Sequence, residues 1–272
     1  MGARTHIPLT RVLPDALVIG AQRSGTSSLY KYLEAHPQLM PSIRKETEYF
    51  TFWFDKGDRW YRSHFPTQAR MAAARRGGRP AQAFEATPYY LFHPHAPERA
   101  AAVVPHARLV AVLRNPVERA YSHWQHEVRG GRESLSFEEA IDAEPERVDT
   151  EERRLQNDPS YRSNRHHRFS YVGRGRYAMQ LERWLAHYPR EQLLVVRSED
   201  LYADPASTFL RIVEHMGVDQ WEPAEFRNHS YEGLRPEAGP PMAPATRTRL
   251  EATFEADNER LARLLERPAM WS

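Results

Sequence analysis

The feature that most constrains this chain is an eight-residue loop, Gly20-Ala21-Gln22-Arg23-Ser24-Gly25-Thr26-Ser27, set between two segments of different periodicity. Ahead of it, Ala16-Leu17-Val18-Ile19 is a short continuous apolar run, as in a strand buried on both faces. Behind it, Leu29 and Leu33, with Tyr30 and Tyr32 between them, predict a helix that stops at His36-Pro37, where proline ends it. Strand, glycine loop and helix make the first half of a βαβ unit. The glycine spacing is that of G-x-x-x-x-G-K-[ST], whose backbone amides cradle an anion at a helix N-terminus. Thr26 stands where that motif has its lysine, and Arg23 brings the positive charge into the loop instead. This disfavours a β/γ-phosphate site.

Two more apolar runs follow. Arg108 to Leu113 predicts a second buried strand, leading through Arg114-Asn115-Pro116 into a helix from about Val117 to Val128, with Pro116 in its first turn. Leu193 to Val196 predicts a third strand, between helices at about Tyr177–His187 and Pro205–Met216. Alternating strands and helices imply an α/β fold, a P-loop-like parallel sheet flanked by helices on both faces. Such sheets bind ligands beyond the carboxyl ends of their strands. A P-loop nucleotide hydrolase needs an acidic metal ligand at such a strand end. Arg114 stands there, and an arginine binds an anion and repels a metal. With 272 residues, one domain over 1–272 is expected. Met71 to Pro80 reads as an exposed loop, Glu144 to Gly175 as charged and irregular, and Tyr231 to Pro244 as a long functional loop or lid. A final helix should run from about Thr246 to Leu265.

Composition narrows the chemistry. Without cysteine there is no disulfide framework, thiolate metal site or cysteine nucleophile, which fits a reducing cytoplasm. No window approaches the ~18 apolar residues of a membrane span, so a soluble cytoplasmic protein without membrane insertion is expected. Acidic residues are interleaved with basic ones along the chain, which disfavours nucleic acid as a partner. The near pairs among the 13 histidines lack companions at a recognised metal spacing, so no metal is expected. Lysine occurs only at positions 31, 45 and 56, so the positive charge is almost all arginine, which suits planar binding of phosphate and sulfate.

Several segments then match one family in order: LVIGAQRSGTSSLYKYLEAHPQ (17–38), RKETEYF (44–50), FEATPYYL (84–91), RLVAVLRNPVERAYSHWQHE (108–127), YAMQLERWLAHYP (177–189) and LLVVRSEDLYADPASTFLRIVEHMGV (193–218). The chain resembles the PAPS-dependent sulfotransferases, in the branch of heparan sulfate sulfotransferases and their bacterial relatives. The resemblance implies PAPS (3′-phosphoadenosine 5′-phosphosulfate) as donor and PAP as product, without a metal. It implies in-line transfer of a sulfuryl group to a hydroxyl, less readily an amine, of a carbohydrate, glycolipid or secondary metabolite. Arg23, with Ser24, Gly25, Thr26 and Ser27, then holds the 5′-phosphosulfate. The family commonly has lysine at the position of Arg23, and arginine is a poor proton donor, so the role left to Arg23 is electrostatic.

Arg114 and Ser122 match the family's grip on the 3′-phosphate, eight residues apart as in the family. KETEYF is similar to the segment that carries the family's catalytic base, which gives Glu46 that role, with Glu48 as local competitor and His123 as a minor rival. Glu85 falls in a second active-site segment, to orient the substrate or Arg23, although Ala86 replaces the branch's usual lysine. Arg235 falls where the branch has a lysine-rich loop over the donor. Arg162, Arg165, His166, His167 and Arg168 are either a contact for an anionic acceptor or a solvated face. Aromatic residues from Tyr49 to Tyr61 are either an acceptor lining or core. A P-loop small-molecule kinase and a non-catalytic nucleotide-binding protein of the same fold remain the alternatives.

Overall fold

The computed structural model describes residues 10–229 and 239–271. Five strands, β1 (Ala16–Gly20), β2 (Leu39–Pro41), β3 (Gln82–Ala86), β4 (Arg108–Leu113) and β5 (Leu193–Arg197), form one parallel sheet in the order β2-β3-β1-β4-β5. Helices connect and flank the strands: α1 (Thr26–Ala35), α2 (Gln68–Ala74), α3 (Ala96–Val103), α4 (Pro116–Arg129), α5 (Glu144–Asn157) and α6 (Asn164–Phe169). Beyond them come α7 (Tyr177–Leu185), α8 (Ser198–Ala203), α9 (Pro205–His215) and α10 (Pro244–Leu264).

β1 is the middle strand, and its side chains alternate between two cores. Leu17 and Ile19 join a cluster with Ala178, Leu181 and Trp184 of α7 and Leu261 of α10. Ala16 and Val18 join a cluster on the other face with Leu29 and Leu33 of α1 and Phe209, Ile212 and Val213 of α9. Helices therefore cover both faces, and a strand with no solvent face reads as a continuous apolar run. Each such buried aliphatic side chain is worth roughly 1.5–3 kcal/mol.

Three sequence readings change. Met71 to Pro80 is not simply an exposed loop: α2 runs to Ala74, capped by Thr67, whose Oγ1 accepts from the Arg70 amide at 3.2 Å, and Met71 is buried. Glu144 to Gly175 is largely helical, in α5 and α6. The apolar side chains that α5 buries are only Val148 and Leu155, too few to show as a helical stripe. β2 and β3 were not expected as strands, since β2 has three residues and β3 carries Gln82 and Glu85 among its five. α10 starts at Pro244, two residues before the expected start, and ends at Leu264. Residues 230–238, and with them Arg235 and most of the expected lid, lie outside the described residues.

Candidate active site

The loop after β1 is shaped by what surrounds it. A Cβ at Gly20 would lie 2.6 Å from the Leu91 Cβ, so no side chain fits. Gly25 takes φ 91° at the start of α1, and a Cβ there would lie 2.9 Å from the Tyr202 hydroxyl. Between them Arg23 is itself left-handed, at φ 67°. Its Nε donates to Ser122 Oγ at 3.1 Å, and its carbonyl accepts from Arg114 Nη1 at 3.4 Å. The Arg114 carbonyl in turn accepts from the Tyr177 hydroxyl at 2.8 Å. Asn115 caps α4, accepting from the amides of Val117 and Glu118 at 3.0 and 3.2 Å, while its own amide donates to Glu199 at 2.8 Å. The ends of β1, β4 and β5 are thus tied together, and Arg23, Arg114 and Ser122, chosen from separate segments, meet. Ser24 is fully buried, and its Oγ has no partner among the described residues.

Two cavities open on this loop. One, of about 390 Å³, is lined by Gly25, Arg114 and Ser122 together with Glu199, Tyr202 and Asn228. The other, of about 640 Å³, lies on the far side and is walled by Glu46, Glu48, Phe52, Tyr89, Arg168 and Arg174 among others. Arg23, Thr26 and Ser27 line both, whereas Ser24, expected to hold the anion with them, is buried and lines neither. The phosphate loop is therefore the partition between them. The first cavity presents two guanidinium groups, a serine hydroxyl and helix-start backbone to an anion.

The second cavity holds the two acidic candidates. Glu46 is partly exposed, with Oε1 2.5 Å from Lys45 Nζ, and its amide donates to the Ala86 carbonyl at 3.0 Å. Burial pushes the Glu48 carboxyl up to about 7, against a hydrogen bond from Thr51. Glu85 does not line either cavity. It is fully buried, and its carboxylate accepts from Thr47 at 2.6 Å, Tyr90 at 3.0 Å, Thr87 at 3.1 Å and Tyr61. Glu85 therefore contacts neither substrate space nor Arg23, contrary to the expectation. It fastens the Arg44–Phe50 segment to β3.

His123 is also displaced from its expected place. It is fully buried against Tyr171, neither ring nitrogen has a hydrogen-bond partner among the described residues, Nε2 lies 3.9 Å from Glu127 Oε1, and burial holds its pKa well below the usual range. His126, one turn on, reaches the larger cavity instead. Of the basic cluster, Arg162, His167 and Arg168 line that cavity and Arg165 does not. His166 is buried beneath, between the Tyr89 hydroxyl at 2.7 Å and Glu152. The aromatic series divides likewise: Phe52 and Trp53 line the cavity, whereas Tyr49, Phe50 and Tyr61 are core.

The sequence profile of the sulfotransferase family matches residues 14–223, more than half of the chain. The chain belongs to the sulfotransferase family. It is 30% identical to human bifunctional heparan sulfate N-deacetylase/N-sulfotransferase 3 over 94% of its own length and 30% of that protein's. To the membrane-associated sulfotransferase kil1 of Dictyostelium discoideum it is 24% identical, over 95% of this chain and 66% of the relative. It thus spans about a third of the first heparan sulfate relatives it matches. Among solved structures, a sulfotransferase from Alicyclobacillus acidocaldarius superposes with a TM-score of 0.71 at 28% identity, covering 94% of this chain and 97% of that one.

For a sulfotransferase, the residues that the sequence reading missed are informative. Arg174 is almost wholly buried yet lines the larger cavity, stacked over Tyr89 at 4.7 Å and donating to Gln22 Oε1 at 2.6 Å. Burial lowers its guanidinium to about 10. Nothing in its local sequence, Val172-Gly173-Arg174-Gly175, marks it. Ser198 and Glu199 were findable, because they follow directly on β5 at the sheet edge where ligands bind.

Proposed function

We propose that this sulfotransferase takes its sulfuryl group from PAPS and transfers it to a hydroxyl of a carbohydrate acceptor that also carries negative charge. The observation that carries the reading is the shared partition: a cavity lined by Arg114 and Ser122 and a cavity lined by Glu46 and Glu48 touch the same three loop residues, Arg23, Thr26 and Ser27. The crowded Gly25 turn and the hydroxyls of Thr26 and Ser27, which line both cavities, fit a loop whose polar groups close on an anion. When bound, PAPS supplies the sulfuryl group and departs as PAP. Arg114 and Ser122 hold the 3′-phosphate in this reading. Arg23 and the loop amides hold the 5′ end and stabilise the charge that builds on the leaving phosphate. Glu46 accepts the proton that the acceptor loses.

The acceptor class rests on the larger cavity. Arg168 faces it and has no hydrogen-bond or ion-pair partner among the described residues. The names of the heparan sulfate relatives support a sugar. Calorimetry tests the donor: adenosine 3′,5′-bisphosphate should bind saturably without magnesium, whereas binding of ATP that requires magnesium would overturn the assignment. A screen of sugar acceptors with labelled PAPS, read as a mass gain of one sulfuryl group, tests the reaction. Glu46→Gln should lower turnover ~100-fold or more while leaving bisphosphate binding intact. Unchanged turnover removes Glu46 from the role.

A further inference from the structure

The larger cavity holds a second carboxylate, Glu48, beside Glu46. Among the described residues four non-glycine positions have left-handed backbone: Arg23, Glu46, Glu48 and Glu266, with φ between 51° and 67°. The first three line this cavity. Such positions are costly and persist where the surroundings over-determine them, most often at working sites. Around Glu48 the constraint is plain. Its carbonyl accepts from the amides of Phe52 and Trp53 at 2.9 and 3.1 Å, and its predecessor Thr47 is anchored in the core by Glu85. Thr47 points into the protein while the glutamates on either side of it face the cavity.

The two carboxylate oxygens of Glu48 differ. Oε2 accepts from Thr51 Oγ1 at 2.5 Å. Oε1 accepts no hydrogen bond among the described residues and has His167 Nε2 3.9 Å away. Burial and the neighbouring Arg174 hold the His167 pKa well below the usual range, so at neutral pH that ring is uncharged and leaves Oε1 available.

We propose that Glu48 is a second proton acceptor for the transfer, working beside Glu46 through Oε1. The proposal rests on the reading above and deepens it. The acceptor's O–H bond breaks as its oxygen bonds to sulfur, and its single proton passes by one of two routes, to Glu46 or to Glu48 Oε1. The sulfur–phosphate bond breaks with its electron pair leaving on the phosphate, beside Arg23. The charged and titratable groups around Glu48 bias it in the useful direction. Burial, Glu46 on its own segment and Glu85 from β3 raise its proton affinity, while Arg174 and the Thr51 hydrogen bond lower it. Tyr89 and Tyr90 are neutral phenols there, their own pKa values raised by burial. A base with proton affinity near the working pH is the most effective kind.

The test uses the slow hydrolysis of PAPS to PAP and sulfate, in which water is the acceptor, followed from pH 5.5 to 9. The wild-type rate should rise through a midpoint near 7. Glu48→Gln should lose that limb and run ~10-fold slower at pH 8. Glu46→Gln should keep the limb, and the double variant should fall ~100-fold or more. A readout independent of turnover is the carboxyl carbon signal of ¹³C-glutamate in the free protein. Glu48→Gln should remove a signal that titrates near neutrality and that Glu144→Gln leaves in place. Glu48→Asp, which keeps a carboxylate, should retain the limb at reduced rate, an outcome that a merely structural role would not give. A folded Glu48→Gln variant with unchanged limb and rate overturns the proposal. Loss of bisphosphate binding by the wild-type protein would instead overturn the donor assignment beneath it.

Discussion

The two cavities are built in different ways. The smaller one stands on the ends of β1, β4 and β5, where backbone turns and caps set the geometry: the Gly25 turn, the Asn115 cap and the Arg23–Ser122 hydrogen bond. The larger one is walled by long side chains from segments as distant as Lys45 and Arg174, held by pairs such as Arg132–Glu127 at 2.6 Å and Arg162–Asp55 at 2.5 Å. A site on strand ends keeps its form through the sheet. A site on charged pairs can be retuned one residue at a time, which suits a constant donor facing a variable acceptor.

The sharpest way to break this comparison is to remove the post that the larger cavity leans on. Glu85→Ala leaves four buried hydroxyls without their common acceptor and should cost about 3 kcal/mol or more, a fall of ~6–12 °C in thermal midpoint. Bisphosphate binding to the still-folded protein at low temperature should barely change. A large loss of donor binding would mean that the two sides are not separable.

Arg114→Ala should do the reverse. Removing one charged partner from the smaller cavity should weaken adenosine 3′,5′-bisphosphate ~100-fold, about 2.7 kcal/mol, in calorimetry. The thermal midpoint should move little, because Arg114 is partly exposed and its ion pair with Glu118 is long, at 3.8 Å.

Arg168→Ala gives a smaller effect confined to the acceptor. KM for a negatively charged sugar should rise ~5-fold, with kcat and bisphosphate affinity unchanged. An equal effect on neutral acceptors would remove the charge argument.

The effect that touches neither cavity concerns Glu144, whose carboxyl burial pushes up to about 7 despite amides from Val172 and Gly173 at 2.6 and 2.8 Å. A carboxyl whose folded pKa is raised contributes stability at acid pH and loses it as pH rises through about 7. Buried His93 and His123, with lowered pKa values, work in the opposite sense, so the informative quantity is a difference. Between pH 5 and 8 the wild-type protein should lose about 2–3 kcal/mol relative to Glu144→Gln, a relative fall of roughly 5–10 °C in midpoint. A difference independent of pH would place the Glu144 titration elsewhere.

How much was legible follows the same division. β1, β4 and β5 were readable as strands because burial on both faces makes them unbroken apolar runs, and their following loops came with them. Arg114 and Ser122 were legible as a pair because strand end and first helical turns lie close along the chain. Arg174 was not, and Arg168 stood open between an acceptor contact and a solvated face, since nothing local separates a cavity-facing arginine from a solvated one in a chain where arginine supplies nearly all the positive charge. Glu85 was named from its segment but given the wrong neighbours, because the hydroxyls of Tyr61 and Tyr90 find it only when helix and strand pack.

By itself, then, the sequence determined the phosphate loop, its place between strand and helix, and the absence of the lysine that a triphosphate site requires. Those are local properties, set by glycine φ angles, apolar runs and residues a few positions apart. Only the tertiary structure decided that the loop is a wall shared by two cavities, that Glu46 and Glu48 face one of them, and that Glu85 and His123 face neither. Those are matters of which side chains are excluded from water together, and that is settled only by long-range packing.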